Sequence, residues 1–403
     1  WIAAYVDDSF VSYESEENLA TVIHKLEAMN FEFSTVEELT KGLGIQIDRT
    51  DTAVFLSQPN YVSFVMKEFD IPVVSRPTPL IRWLEPHDPD TEQILTPVDR
   101  TKFQSLLGAL SHIARMTRPE VLLAVFHLAT FTGAPTARHY EGLVRITQHL
   151  HTDPTRGIRF AKDDGPLWEF YCDSDWAGCP STRRSTEGYL IKFMGGPLIA
   201  KSRRQRNVTK SSCEAEYCTF ADCAADIIWV KSLAEAFQCE FPHPAVLRCD
   251  NRTAISMANG EVALKRTKHI DAFKKFIGVK YHWIRELVDF GIIRLQHVAG
   301  LENHSDILTK PNPKSVFHPA SKILLNEKPI TARVANSIDQ LLVSSGGVDY
   351  TQKIYRCKQA AQEWRSTLKR TKTFLSRNKP FEKAPPNYDL GILAAIARCQ
   401  RAA

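Results

Sequence analysis

The sequence has no apolar run near the roughly 20 residues that a bilayer-spanning helix needs, so no membrane partner is expected. Its nine cysteines form no Cys-x-x-Cys pair and no Cys/His spacing of a zinc module. They read as reduced thiols of an intracellular protein. There is no initiator Met and no signal peptide, and the chain begins inside a strand-like run, as a fragment of a longer protein would. Nor is there an even basic balance. Residues 314–403 hold 16 Lys and Arg against 6 Asp and Glu, and the first 313 hold 35 against 40. The formal charge of +5 therefore belongs to the tail and says little about the main domains.

What is present is enough chain, 403 residues, for two or three domains with their own cores. The opening stretch WIAAYVDDSFVSYES places Asp7 and Asp8 between two strand-forming runs, which predicts a hairpin with an Asp-Asp-Ser corner. Such a corner is either an ordinary turn or a divalent-metal site. Helical spacing follows in EENLATVIHKLEAMNF, a strand pair in KGLGIQIDR and AVFLSQ, and a Pro-led helix in PNYVSFVMKEFDI. Residues 76–98 are Pro-rich and irregular, and residues 99–151 carry three helical segments.

Beyond Gly165-Pro166 the pattern becomes β-β-β-α-β-α-α-β-α, a meander followed by βα units. That order argues for one mixed sheet flanked by helices. Asp173 ends the first of its strands, Glu216 lies in the first turns of the long helix, Asp250 ends the fourth strand, and Asp306 opens a last helix. With the first and fourth strands as parallel neighbours, Asp173 and Asp250 sit side by side, and the two helices bring Glu216 and Asp306 to them. Singly these acids have ordinary readings as turns, caps or helix-dipole partners. Together they cannot all stay ionised without a cation, and two Mg²⁺ ions would satisfy them and activate water against a phosphodiester.

The motifs YCDSDWAGCPSTRRSTEGYLI, AKSRRQRNVTKSSCEAEY, RCDNRTAISMA, KRTKHID and NHSDILTK resemble the RNase H domain of copia-type LTR retrotransposon Pol polyproteins. YVDD resembles the same family's reverse transcriptase active-site hairpin. LGIQI, LSQPNY and FQSLLGALSHIARMTRPEVLLAV resemble its palm-to-connection region, in the same order, over about residues 1–312. The resemblance implies a mixed α/β chain. Residues 1–75 would be a partial reverse transcriptase palm, 76–165 a linker and helical thumb or connection, 166–312 an RNase H-like domain with a five-stranded mixed sheet, and 313–403 a basic helical tail, partly disordered.

It further implies an RNase H-type endonuclease that cuts RNA in RNA–DNA hybrids with Mg²⁺ or Mn²⁺, beside an incomplete RNA-directed DNA polymerase whose N-terminal part would be a partner. Asp173, Glu216, Asp250 and Asp306 are the catalytic and metal-binding residues on this reading, and Asp7 and Asp8 are metal ligands of the polymerase. A catalytically dead or domesticated nucleic-acid-binding remnant is the alternative. The location expected is cytoplasmic, in a virus-like particle, or nuclear.

Two assignments stay open in the residues themselves. Asp173 and Asp175 fall on one strand face, and the family pattern points to Asp173. Glu214 and Glu216 lie about 200° apart on a helix, and the family pattern points to Glu216. Cys172 and Cys249, each just before a site aspartate, are expected as neighbours facing away from the metal.

Three basic clusters lie in loops near the acids and suit phosphate contact. They are Arg183 and Arg184; Lys201, Arg203, Arg204, Arg206 and Lys210; and Lys265, Arg266 and Lys268. His269 beside the last reads either as a proton shuttle or, as is more usual, as a structural histidine. In the tail, a Ser-Ser-Gly-Gly linker at 344–347 precedes Ile354, Cys357, Ala361, Trp364, Leu368 and Leu375, whose spacing predicts an amphipathic helix with a basic outer face.

Overall fold

The computed structural model describes residues 2–5, 8–11, 13, 15–29, 33–88, 90–161, 165–179, 182–206, 208–260, 278–327 and 353–357. The chain divides into two compact units, residues 1–43 with 330–403, and residues 44–329. The expected divisions after residues 75, 165 and 312 all fall inside the second unit.

In the first unit, β1 (Ile2–Tyr5) and β2 (Asp8–Val11) pair antiparallel with Tyr5 opposite Asp8. The second strand thus starts at Asp8 rather than after the expected Asp-Asp-Ser corner. Helix α1 (Glu16–Ala28) begins where the Ser15 hydroxyl accepts the Asn18 N–H at 3.2 Å, with Glu16 and Glu17 in its first turn and Lys25 in its last. Strands β3 (Phe33–Glu38) and β4 (Lys41–Gly42) follow. A strand at Lys353–Cys357 lies between β2 and β3, antiparallel to both. This corrects the helix expected to start at Ile354. KIYRC is short and rich in strand formers, and pairing on both edges overrides a helical spacing of a few apolar residues. The rest of that stripe, and the Ser-Ser-Gly-Gly segment, lie outside the described residues.

In the second unit, β5 (Ile45–Arg49) and β6 (Ala53–Ser57) form an antiparallel pair. Helix α2 (Pro59–Glu68) starts on its proline, where a missing N–H costs nothing. Helices α3 (Pro97–Met116), α4 (Leu122–Ala129) and α5 (Ala137–Thr152) are the three expected segments. The short strand β7 (Ile158–Ala161), which pairs with β6, has no counterpart in the sequence reading. Its four residues fall below the length at which periodicity speaks.

The five-stranded sheet contains β8 (Trp168–Asp175), β9 (Thr186–Phe193), β10 (Gly196–Arg204), β11 (Ala245–Cys249) and β12 (Ile293–His297), in the order β10-β9-β8-β11-β12. The first three are an antiparallel meander, and β11 and β12 add in parallel beside β8. Helices α6 (Ser212–Ala236), α7 (Arg252–Ala258) and α8 (Gly278–Asp289) supply the connections. Asp306 opens only a 3-10 turn, Asp306–Leu308, and the last helix, α9 (Lys314–Leu325), begins after Pro311 and Pro313. Two prolines without N–H groups explain why the helix expected at Asp306 stops after one turn.

Strand alternation divides the sheet between two cores. Tyr171 and Leu190 pack into the cluster built by Phe103, Leu106, Leu110, Ile113, Leu143 and Ile146 of α3 and α5, with Leu308, Phe317 and Leu324. Cys172, between Tyr171 and Asp173, faces the other way, where Cys223 of α6 is one of its neighbours. Among the described residues no helix is long and apolar enough to cross a membrane.

Candidate metal centre

The register of the sheet sets the site. Leu247 and Arg248 of β11 lie beside Phe170 and Tyr171 of β8 in parallel. Two residues further on, Asp173 and Asp250 stand level at the carboxyl ends of the strands, where open α/β sheets put their chemistry.

Glu216 reaches them from α6. That helix starts at Ser211, whose hydroxyl accepts the Glu214 N–H at 3.2 Å, and Glu214 Oε2 accepts the Lys210 N–H at 2.7 Å. Glu214 is therefore consumed by the cap. Glu216, on the opposite side of the helix, accepts the Ser174 N–H at 3.0 Å through Oε1, which fixes it to the end of β8.

Asp306 arrives from the other face. The Asn303 side chain donates to the Cys172 carbonyl at 2.9 Å, and its oxygen accepts from the Ser305 hydroxyl at 2.6 Å. The Asp306 N–H then bonds the Asn303 carbonyl at 3.1 Å. The 3-10 turn is thus stapled to β8, and the Thr309 hydroxyl donates to Asp173 Oδ2. Lys310 pairs with Asp306 one turn on.

The four acids form one electrostatic group. Burial pushes the Glu216 carboxyl well above the usual range, and Cys249, Asp173 and Asp250 add to the shift. Asp173 is raised to about 6, chiefly by burial; the Thr309 hydrogen bond opposes this, and Asp306 and Asp250 reinforce it. Asp175 is also raised by burial, with Lys310 opposing and Asp306 reinforcing. It is more exposed than Asp173, and the charges that act on it are those of Lys310 and Asp306. Asp173 and Glu216 are buried and Asp250 and Asp306 half-buried; hard oxygen donors that repel one another at strand ends are a set that fits Mg²⁺ or Mn²⁺.

Cys249 departs from expectation. Cys172 and Cys249 are neighbours on adjacent strands, as the order of elements predicts. But Cys249 does not face away from the acids. Its sulfur lies 3.6 Å from Glu216 Oε2 and, with one ligand atom each of Glu216 and Asp250, forms a group whose members all lie within 4.8 Å of one another. The reason is that Asp250 has already left the strand, so alternation no longer separates it from residue 249. Sequence reasoning also gave no role to Thr309 or Asn303. An Asn two residues before a Ser, with an Asp three on, is the Asx-turn signal that marks such a staple.

The basic residues divide. Arg183, Arg184 and Lys210 are exposed and Arg204 is half-buried. Lys201, Arg203 and Arg204 lie in strand β10, not in a loop. Lys201 pairs with Asp226 at 2.7 Å, and Arg203 pairs with Asp222 at 2.7 Å and with Glu187. Alternation puts Lys201 and Arg203 on the α6 face, opposite two aspartates one turn apart. Lys265, Arg266, Lys268 and His269 lie outside the described residues, as do Asp7 and the side chain of Asp8.

The second unit is thus a mixed α/β unit in which four carboxylates from separate elements lie about the strand ends of a five-stranded sheet. Comparison with known proteins narrows this. The chain is 30% identical to a retrovirus-related Pol polyprotein from transposon RE1 of Arabidopsis thaliana, over 82% of its own length and 22% of that protein's. It is 28% identical to the retrovirus-related Pol polyprotein from transposon TNT 1-94 of Nicotiana tabacum, over 79% of the chain and 24% of that protein. An uncharacterized mitochondrial protein of Arabidopsis thaliana is 32% identical over 57% of the chain and 93% of its own length. No protein-family model matches the chain. The chain belongs to the family of copia-type retrovirus-related transposon Pol polyproteins, and it spans about a fifth of the length of those Pol relatives.

Proposed function

We propose that the second unit is an RNase H-type endonuclease that cleaves the RNA strand of RNA–DNA hybrids with divalent cations. What supports this is that Asp173, Glu216, Asp250 and Asp306 come from four separate elements to the strand ends, where the charges of Asp250 and Asp306 act on buried Asp173 and those of Asp173 and Asp250 on buried Glu216. Asp173, Glu216 and Asp250 would hold one Mg²⁺ or Mn²⁺, and Asp173 with Asp306 a second. When bound, such a pair supplies an activated water and neutralises charge on the phosphodiester.

The chain's own groups do the rest. The Ser174 N–H and the Thr309 hydroxyl fix the orientations of Glu216 and Asp173, so each carboxylate is held before substrate arrives. Exposed Arg183, Arg184 and Lys210 are suited to backbone phosphates, which position a duplex without reading its sequence. A hybrid is distinguished by its shape and 2′-hydroxyls. Lys201 and Arg203 are already engaged by carboxylates of the same unit, so their part in phosphate contact is secondary. On the same reading the β1–β2 hairpin belongs to an RNA-directed DNA polymerase palm, with Asp7 and Asp8 as its metal ligands.

The test is a hybrid labelled on one strand or the other, incubated with the purified chain and Mg²⁺ or Mn²⁺. The expected result is cleavage of the RNA strand alone, with double-stranded DNA left intact. Cleavage of the DNA strand, or of both duplexes alike, would overturn the assignment.

A further inference from the structure

The sulfur of Cys249 has no part in the proposed cleavage, yet it is fully buried against that site. Its S–H points at Glu216 Oε2, 3.6 Å away, and the sulfur accepts the Asn251 N–H at 3.3 Å. A tetrahedral cation with a sulfur ligand near 2.3 Å and an oxygen ligand near 2.0 Å holds the two about 3.5 Å apart. The observed spacing is close to this, and the Asp250 carboxylate completes a three-ligand group.

We propose that Cys249 Sγ, Glu216 Oε2 and the Asp250 carboxylate form a seat for a soft divalent cation of the Zn²⁺ or Cd²⁺ class. The seat overlaps that of the catalytic cation, so occupation excludes it and inhibits. Hard Mg²⁺ has little use for sulfur, whereas thiolate strongly favours Zn²⁺ and Cd²⁺. The thiol proton is released to solvent as the metal–sulfur bond forms. The binding itself rests only on the geometry; the inhibition rests on the nuclease reading.

The test uses the full chain, kept reduced with a phosphine and free of Mg²⁺, and titrated with Cd²⁺. The readout is the ultraviolet charge-transfer absorption of a thiolate–cadmium bond. The wild-type chain is expected to develop this band, and C239S, altered at a distant thiol, to keep it. Cys249→Ser should lose it, and Glu216→Gln, which keeps the thiol, should shift its midpoint upward at least about tenfold. Glu216→Gln carries the test alone if circular dichroism shows that Cys249→Ser does not fold. A wild-type chain with no band, or a band and midpoint unchanged in either variant, would overturn the proposal. If the band behaves as expected while the wild-type chain cuts no hybrid, the seat stands and only the nuclease reading fails.

Discussion

The Thr309 hydroxyl donates to Asp173 Oδ2 although the two residues stand 136 positions apart. This bond joins the carboxyl end of the central strand to the 3-10 turn that carries Asp306. It orders the site, but a single neutral donor does not offset the burial that raises Asp173 to about 6. The site is therefore strained electrostatically so long as no cation is present. Replacing Asp173 with Asn, or Glu216 with Gln, removes that strain. Each variant should melt higher than the wild-type chain in a chelator, by a few degrees, and lose at least about a hundredfold in hybrid cleavage. Differential scanning calorimetry with and without EDTA checks the first, and a cleavage assay the second.

The pH dependence has two opposing parts. His127, His149 and His304 are each held near 4, in every case mainly by burial. A histidine depressed in the fold contributes stability that is present above its unfolded value near 6.5 and lost as pH falls towards 4. Asp173 works the other way. Its folded value of about 6 exceeds the ordinary 3.8, so it takes up a proton on folding, and its penalty, at most about 3 kcal/mol, fades as pH drops from 6 towards 4. The metal-free chain should therefore lose stability on acidification below about pH 6.5. The stability advantage of Asp173→Asn over wild type should shrink over pH 6 to 4. Urea unfolding at pH 7.5, 6 and 4.5 measures both.

Gly188 lies opposite Asp173 in the antiparallel register of β8 and β9. A Cβ there would stand 2.8 Å from Leu308 Cβ and 2.7 Å from Thr309 Cγ2. Its hydrogen is what lets the 3-10 turn lie on the sheet. Gly188→Ala should push the turn outward, cost about 1–3 kcal/mol, and lower cleavage more than tenfold by displacing Asp306 and Thr309. Stability and kcat measured on the same preparation separate the two effects.

Away from the site, Arg118 and Glu120 form a fully buried ion pair at 2.6 Å. Arg118 also donates to the Asp153 carbonyl at 2.9 Å, and Arg156 links Glu120 to Glu327 beyond α9. Although burial opposes it, the charge of Arg118, followed by that of Arg156, holds Glu120 below the usual carboxylate range. Glu120→Gln would leave Arg118 buried and unpaired, which costs about 3–5 kcal/mol. Chemical denaturation of the metal-free variant should show that loss.

Much of this was legible in the sequence, and the limits have physical reasons. The five-stranded sheet follows from strand-forming runs divided by turn residues and a capped helix, because each local signal agrees with the global order. Helical spacing puts Glu214 and Glu216 on opposite sides without saying which one meets the strand ends; the cap that consumes Glu214 is set by where the helix starts. The side chosen by Cys249 depends on where β11 ends, and strand ends are poorly marked by periodicity. The strand at Lys353–Cys357 exists through pairing with residues more than 300 positions earlier, which no local pattern reports. Lys201 and Arg203 read as free cations until the fold set them against Asp226, Asp222 and Glu187.

We propose that the four carboxylates act together as a divalent-metal nuclease centre. It is tested most directly by the rate of RNA cleavage in an RNA–DNA hybrid as Mg²⁺ or Mn²⁺ is titrated, for the wild-type chain and for Asp250→Asn, whose fold is verified by circular dichroism. The expected result is saturable, cation-dependent cleavage by the wild-type chain, abolished by EDTA and at least about a thousandfold slower in Asp250→Asn. Cleavage that persists in EDTA, equal rates for the two chains, or no cleavage by a folded wild-type chain at any concentration of either cation would contradict it.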